Sequence, residues 1–188
     1  MITNNWRLVP PEIKTERLIL RCPQEQDGPE LYAAISESLA ELQPWFAWTA
    51  DLILTPDNCI ITAAYARARF LSAKEMQFYI FSKGGSTLVG VCGLTKPDWD
   101  KLFFEICYWL RTQFVGHGYM TEAVVAVTQF ALRNLEARRI EALCNPANEE
   151  GIAVVRQVGY VHEKIETIQS HHQGIEEQTN IVKYVRLA

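Results

Sequence analysis

Residues 108–135, YWLRTQFVGHGYMTEAVVAVTQFALRNL, constrain this chain more than any other stretch. The apolar, aromatic run 103–110 (FFEICYWL) reads as a strand, and a short loop over 111–118 carries it straight into an amphipathic helix. In that helix Met120, Ala123, Val124, Val127, Phe130, Ala131 and Leu135 recur at three- and four-residue spacing, which marks one buried face. The order strand, loop, helix sets the loop at a helix N-terminus. There the first backbone N–H groups lack intrahelical acceptors and the helix dipole is positive, so the position suits a phosphate-like anion.

Gly116 and Gly118 can adopt φ > 0 and leave the main chain bare for a ligand. With Gln113 they form a Gln-x-x-Gly-x-Gly spacing, which reads either as a pyrophosphate cradle or as a tight turn that uses two glycines. Other phosphate loops fit less well. No Gly-Lys-Ser/Thr follows, as an ATP-binding P-loop requires, and Thr121 stands where a dinucleotide fingerprint has its third glycine.

Glu105-Ile-Cys-Tyr-Trp-Leu, then Gln113-x-x-Gly-x-Gly, then Met120-Thr-Glu-Ala together resemble the acetyl-CoA site of the GNAT N-acetyltransferases. The likeness is to the Rim-type branch, which acetylates the N-termini of ribosomal proteins. Thr15-Glu-Arg-Leu-Ile-Leu-Arg21, by itself only a first strand, resembles the start of chains in that branch, and Pro44-Trp45-Phe-Ala-Trp48 resembles a segment near its acceptor groove. The fold implied is α/β: a GNAT fold with a central twisted mixed sheet flanked by helices, as a single domain over residues 1–188.

The same resemblance implies acetyl-CoA as co-substrate and no metal. It assigns Tyr108, Trp109 and Leu110 to the strand that pairs with the pantetheine arm, with a bulge there that splays the strand open. Gln113, Val115, Gly116, His117, Gly118, Tyr119 and Met120 fall to the pyrophosphate loop, and Asn148 completes the coenzyme site. Trp45 and Trp48 become acceptor-side residues, although two tryptophans in a short loop can equally plug a core. Glu105, three residues before Tyr108, is the candidate catalytic base; read alone it is an ordinary acid on a partly exposed strand. Asn148-x-x-Gly151 followed by Val158-Gly159-Tyr160 matches the family pattern with one departure. Gly151 replaces the usual Ser, and Val155 stands where other branches carry a tyrosine acid, which leaves the thiolate's proton to water, to Cys144 or to a residue the sequence does not reveal.

Composition narrows the partners. The chain has 188 residues, 48% hydrophobic and 21% charged, enough to bury a sizeable core in one soluble domain. A net charge of −4 gives no electrostatic footprint for nucleic acid. The apolar runs fall far short of the roughly 20 residues of a membrane span, and MITNNWRLVPPE has no signal-peptide core, so a cytoplasmic protein is expected. Five scattered cysteines without a Cys-x-x-Cys pair read as reduced core residues.

Elsewhere the pattern predicts a strand through Leu18, Ile19 and Leu20, and a helix over 31–42 with Asp27 as N-cap. A second helix is expected from Thr55-Pro56 to about residue 73, with Ile60, Ile61, Ala64, Ala68 and Leu71 facing inward. A hairpin over 78–94 and a turn at Pro97-Asp98 precede the central strand. After the long helix come a strand over 139–145, a short helix over 152–157, and strands over 160–168 and 180–187 separated by a hydrophilic loop with His171 and His172. The function expected is transfer of acetyl from acetyl-CoA to a primary amine, with a protein or peptide N-terminal α-amine favoured. Such an amine titrates near pH 8, so it needs less help from a base than a lysine does. A small amine (polyamine, amino acid or antibiotic) and a non-catalytic acyl-CoA sensor stand as alternatives; oligomeric state stays open.

Overall fold

The structure, a computed structural model, describes residues 9–46, 49, 53–172 and 175–188, the backbone alone over 168–172 and 175–178. Eight strands form one sheet in the order β1-β2-β3-β4-β5-β6-β8-β7. They are β1 (Glu12–Lys14), β2 (Leu18–Arg21), β3 (Met76–Ser82), β4 (Leu88–Asp98), β5 (Phe103–Leu110), β6 (Arg139–Cys144), β7 (Val161–His172) and β8 (Ile175–Leu187). Four helices cover the faces: α1 (Gly28–Leu42), α2 (Pro56–Leu71), α3 (Tyr119–Asn134) and α4 (Glu149–Gln157). Every neighbouring pair is antiparallel except β5 and β6, which α3 joins as a crossover. The mixed α/β sheet expected from the sequence is the one found.

Two clusters divide the core by face. Helices α3 and α4 bury Met120, Val124, Val127, Phe130, Ile152 and Val155 against Leu20, Phe78, Cys92, Phe104, Ile106 and Ile140. On the other face α1 and α2 bury Leu31, Ile35, Cys59 and Ala63 against Tyr79, Phe81 and Val91. Each buried aliphatic or aromatic side chain contributes about 1.5–3 kcal/mol. The stripe predicted for α3 is the stripe buried.

The α2 stripe is out of phase with the expectation. Cys59, Ala63 and Phe70 are buried, whereas Ile61 and Leu71 stay largely exposed. This helix is apolar on more than one side, so periodicity alone selected the wrong face. Thr55 does cap it, its hydroxyl accepting from the Asn58 amide at 3.2 Å. Helix α1 begins at Gly28, earlier than predicted, and Asp27 occupies its N-cap position without capping. The Asp27 carboxylate instead takes both Arg21 nitrogens, at 2.5 and 2.8 Å, a buried bidentate pair that outcompetes a single amide bond.

Strand β4 continues through the expected turn to Asp98. Between Thr95 and Asp98 its register slips, and Lys96 takes φ 46° there. The C-terminal strands are also longer than predicted: β7 and β8 pair from Val161↔Val185 to His172↔Ile175. His171 and His172 therefore end a strand, because backbone pairing overrides the polar composition that suggested a loop.

Candidate active site

Beyond Glu105 the β5–β6 ladder stops, since their pairing covers only 103–105 with 139–141. The strands diverge toward the C-terminal end of β5, and the edge of residues 106–110 that would face β6 has no strand partner among the described residues. On its other side β5 pairs with β4 without a break from Glu105 to Leu110. The expected bulge lies on β4 instead: Phe81 pairs with Leu88 and Ile80 with Gly90, so Val89 is the extra residue, and its carbonyl accepts from the Arg111 amide at 2.9 Å. The divergence of β5 from β6 opens a cavity of about 660 Å³, a size that suits a small-molecule ligand.

The glycine loop closes one end of that cavity. After a short 3₁₀ turn at Thr112–Phe114, Gly116 and Gly118 have φ of 82° and 72°, the left-handed region that a β-carbon disfavours. Gly118 is the N-cap of α3 and offers no side chain to cap it. The amides of Gly116, His117 and Gly118 donate to no protein acceptor among the described residues. A β-carbon built on Gly116 would meet nothing within 4 Å. Bare amides, an open approach and the positive end of a 16-residue helix make a site for a phosphate-bearing group.

The loop is fastened from behind. Glu37 of α1 accepts from the Gln113 amide at 3.1 Å and from Arg111 Nε at 2.7 Å, and the fully buried Ser38 hydroxyl accepts from the Thr112 amide at 2.9 Å. His117 Nδ1 lies 2.9 Å from the Val115 carbonyl, and its ring stacks on Tyr119. On the far side Arg17 donates to the His117 carbonyl at 2.9 Å.

The cavity gathers Tyr108, Trp109, Leu110, Val115, Gly116, Gly118, Tyr119, Met120 and Asn148 from the coenzyme-side expectations, and Trp45 from the acceptor side. Gln113 and His117 lie outside its lining, behind the loop. Trp48 lies outside the described residues. Glu105 is also outside the lining: on alternating β5 it shares the face of Trp109, which packs toward α1 and α2, and both its oxygens bind Lys96 Nζ at 3.0 and 3.1 Å. The slip in β4 brings that lysine to it.

Asn148 caps α4, its Oδ1 accepting from the Gly151 amide at 2.9 Å. Its carboxamide lies so close over Gly151 that a β-carbon there would fall 2.9 Å from it. The Tyr108 hydroxyl crosses from β5 and donates to the Gly151 carbonyl at 2.7 Å. Burial, with Cys144 beside it, pushes that hydroxyl far above the ordinary phenol range, so it keeps its proton. Burial also pushes the Cys144 thiol up to about 11. Val155 is fully buried in the core and cannot reach the cavity with a polar group.

Sequence reading missed Glu37, Ser38, Arg17 and Glu122, which fasten the loop. Only Arg17 and Glu122 carried a signal, inside the two quoted motifs, and it named no partner.

The chain matches the Acetyltransferase (GNAT) domain over residues 17–161. It belongs to the GNAT acetyltransferase family. It is 25% identical to YdaF of Bacillus subtilis (strain 168), named as a candidate ribosomal N-acetyltransferase, over 79% of this chain and 80% of that one. It is also 28% identical to the uncharacterized N-acetyltransferase p20 of Bacillus licheniformis over 50% of this chain, and so spans about half, 52%, of that relative. Among solved structures it superposes on RimL, a ribosomal L7/L12 α-N-protein acetyltransferase in complex with coenzyme A, with a TM-score of 0.84 and 20% identity, covering 94% of this chain and 97% of that one. That likeness is one of fold. Among the described residues no helix is long and apolar enough to cross a membrane.

Proposed function

We propose that this acetyltransferase moves the acetyl group of acetyl-CoA to a primary amine, and that the favoured acceptor is a protein or peptide N-terminal α-amine. The observation that carries the donor half is the trio of unbonded amides at Gly116, His117 and Gly118, set at the N-terminus of α3, in a loop whose two glycines line the cavity. They would hold the pyrophosphate, and the unpaired edge of 106–110 would take the pantetheine arm by backbone pairing. An amide of that edge near Tyr108 to Leu110 is the candidate oxyanion donor. The acceptor half rests on kinship with YdaF and on Trp45 at the cavity wall, beyond the amide loop.

Tyr108 is the proposed acid. It lines the cavity and donates its hydrogen bond to the Gly151 carbonyl, so its hydroxyl stands ready for a thiolate that forms nearby. As the amine nitrogen bonds to the acetyl carbon it gives up a proton to water, on the path to Glu105; the carbon–sulfur bond breaks, the sulfur takes the Tyr108 proton, and the phenolate regains one from solvent. This answers the missing Ser and Tyr: a hydroxyl from β5 reaches over Gly151, where the family pattern has a serine. Glu105 remains the proposed base and acts through water, since its carboxylate stands outside the lining.

The test is release of free coenzyme A thiol from acetyl-CoA against peptides beginning with Ser, Ala or Met, followed by polyamines, free amino acids and aminoglycosides. Turnover with the peptides is the expected result. Turnover confined to small amines would move the acceptor class, and coenzyme binding without any turnover would replace the enzyme with a sensor.

A further inference from the structure

Among the described residues no Lys or Arg lines the cavity, yet coenzyme A would bring a pyrophosphate and a 3′-phosphate to it. One guanidinium stands close behind the loop. Arg17 lies in the turn between β1 and β2, and Glu122, in the first turn of α3, holds it there. Glu122 Oε1 accepts from the Thr15 hydroxyl at 2.5 Å and from the Arg17 amide at 2.9 Å, while Oε2 accepts from Arg17 Nε at 2.6 Å. Arg17 Nη1 donates to the His117 carbonyl at 2.9 Å, and the guanidinium lies over the Tyr119 ring, its Cζ 4.6 Å from the centroid.

Two of the three guanidinium nitrogens are thus committed, and the plane is fixed by the ring. Nη2 has no acceptor among the described residues. Apart from Gly118 and its chain neighbours, it is the one atom among the described residues within 4 Å of a β-carbon built on Gly118, at 3.6 Å, so it borders the bare flank of the loop. The side chain is 45% exposed and its charge is permanent. We propose that Arg17 is a phosphate ligand of the coenzyme, with Nη2 as the donating atom. This rests on the acetyl-CoA reading of the cavity. The Thr15–Glu122–Arg17 set then has two effects: it holds the loop in place through the His117 carbonyl, and it spares the phosphate contact the entropy of ordering a long side chain.

A clamp acting only through the loop would weaken coenzyme A equally in Arg17→Gln and Arg17→Lys, since neither rebuilds the fork to Glu122 and the His117 carbonyl. A lost phosphate contact is instead partly replaced by the lysine charge, which makes the roles separable by calorimetry. Coenzyme A, dephospho-coenzyme A and S-acetyl-pantetheine would be titrated into wild type, Arg17→Gln and Arg17→Lys. For Arg17→Gln the dissociation constant for coenzyme A should rise about 10- to 100-fold, the range of one charge-assisted hydrogen bond. S-acetyl-pantetheine, which has no pyrophosphate, should bind as before. Arg17→Lys, which keeps the charge, should recover part of the loss. An equal loss with dephospho-coenzyme A assigns the contact to the pyrophosphate, and no loss with it assigns the 3′-phosphate; either supports the proposal. Equal weakening of coenzyme A and S-acetyl-pantetheine, an equal loss in Arg17→Gln and Arg17→Lys, or no weakening at all overturns it and leaves the acetyl-CoA reading intact. Wild type that binds no coenzyme A refutes both.

Discussion

At the α3 end of the cavity every side chain near the loop is engaged: Gln113 and Arg111 with Glu37, His117 with the Val115 carbonyl, and Arg17 with Glu122 and the His117 carbonyl. Toward the cavity the loop itself presents backbone amides, and Arg17 Nη2 borders its flank. At the α1 end the surfaces on offer are side chains, Glu41, Leu42, Trp45 and Phe46, and Trp45 is 38% exposed. On the proposed reading, the donor end would recognise a group common to every acetyl-CoA-dependent enzyme by fixed main-chain geometry. The acceptor end would recognise by residue identity, which can change without disturbing the fold. Substitutions at the two ends should separate cleanly into coenzyme effects and acceptor effects.

The largest effect should come from the donor end. Gly116→Val puts a β-branched side chain at φ 82°, at a strain of about 1–3 kcal/mol. It also disturbs amide bonds to a charged phosphate worth about 1.5–3 kcal/mol each. Coenzyme affinity should fall about a thousandfold by calorimetry, with the circular dichroism spectrum of the fold retained; a folded variant with unchanged affinity would break the donor half of the comparison.

At the seam between the ends, Tyr108→Phe removes the proposed acid and the bond to Gly151. Its kcat should drop about 100-fold while coenzyme and acceptor KM hold. A variant with full kcat would return the thiolate's proton to water or Cys144.

Trp45→Ala should raise acceptor KM about fivefold, a cost of about 1 kcal/mol, and leave acetyl-CoA KM alone. An equal change in both would merge the two ends.

The smallest effect concerns the anchor of the donor end. Burial raises the Glu122 carboxyl, but the bonds from Thr15 and from the Arg17 amide and guanidinium outweigh it, so the group titrates below the ordinary glutamate range. A depressed folded pKa gives stability that is present at neutral pH and lost as pH falls through the folded value. Glu122→Gln should therefore be somewhat less stable near pH 7, and its melting temperature should fall less steeply than that of wild type below about pH 4.5. Parallel acid profiles would show that the anchor carries no such linkage.

What could be read beforehand follows the same division. Gly116 and Gly118 announced themselves because a left-handed backbone at a helix start needs glycine, and α3 was legible because its apolar face is unbroken. Tyr108 was assigned to the coenzyme strand, but its reach to Gly151 was not readable, because 43 residues and a crossover separate them. The α2 stripe failed where Ile61, Tyr65 and Leu71 make an apolar outer side that periodicity cannot tell from an inner one. Glu105 kept its place on β5, while Lys96, its ion-pair partner, depends on a register slip that no local pattern encodes.

The central claim is that the Gly116–Gly118 amides receive the coenzyme's phosphates. Titrating coenzyme A into uniformly ¹⁵N-labelled protein tests it directly. The account predicts that the Gly116, His117 and Gly118 amide protons shift downfield and by more than those elsewhere, as unbonded donors gain charged acceptors. Saturable binding that leaves these three resonances in place while others move would contradict it.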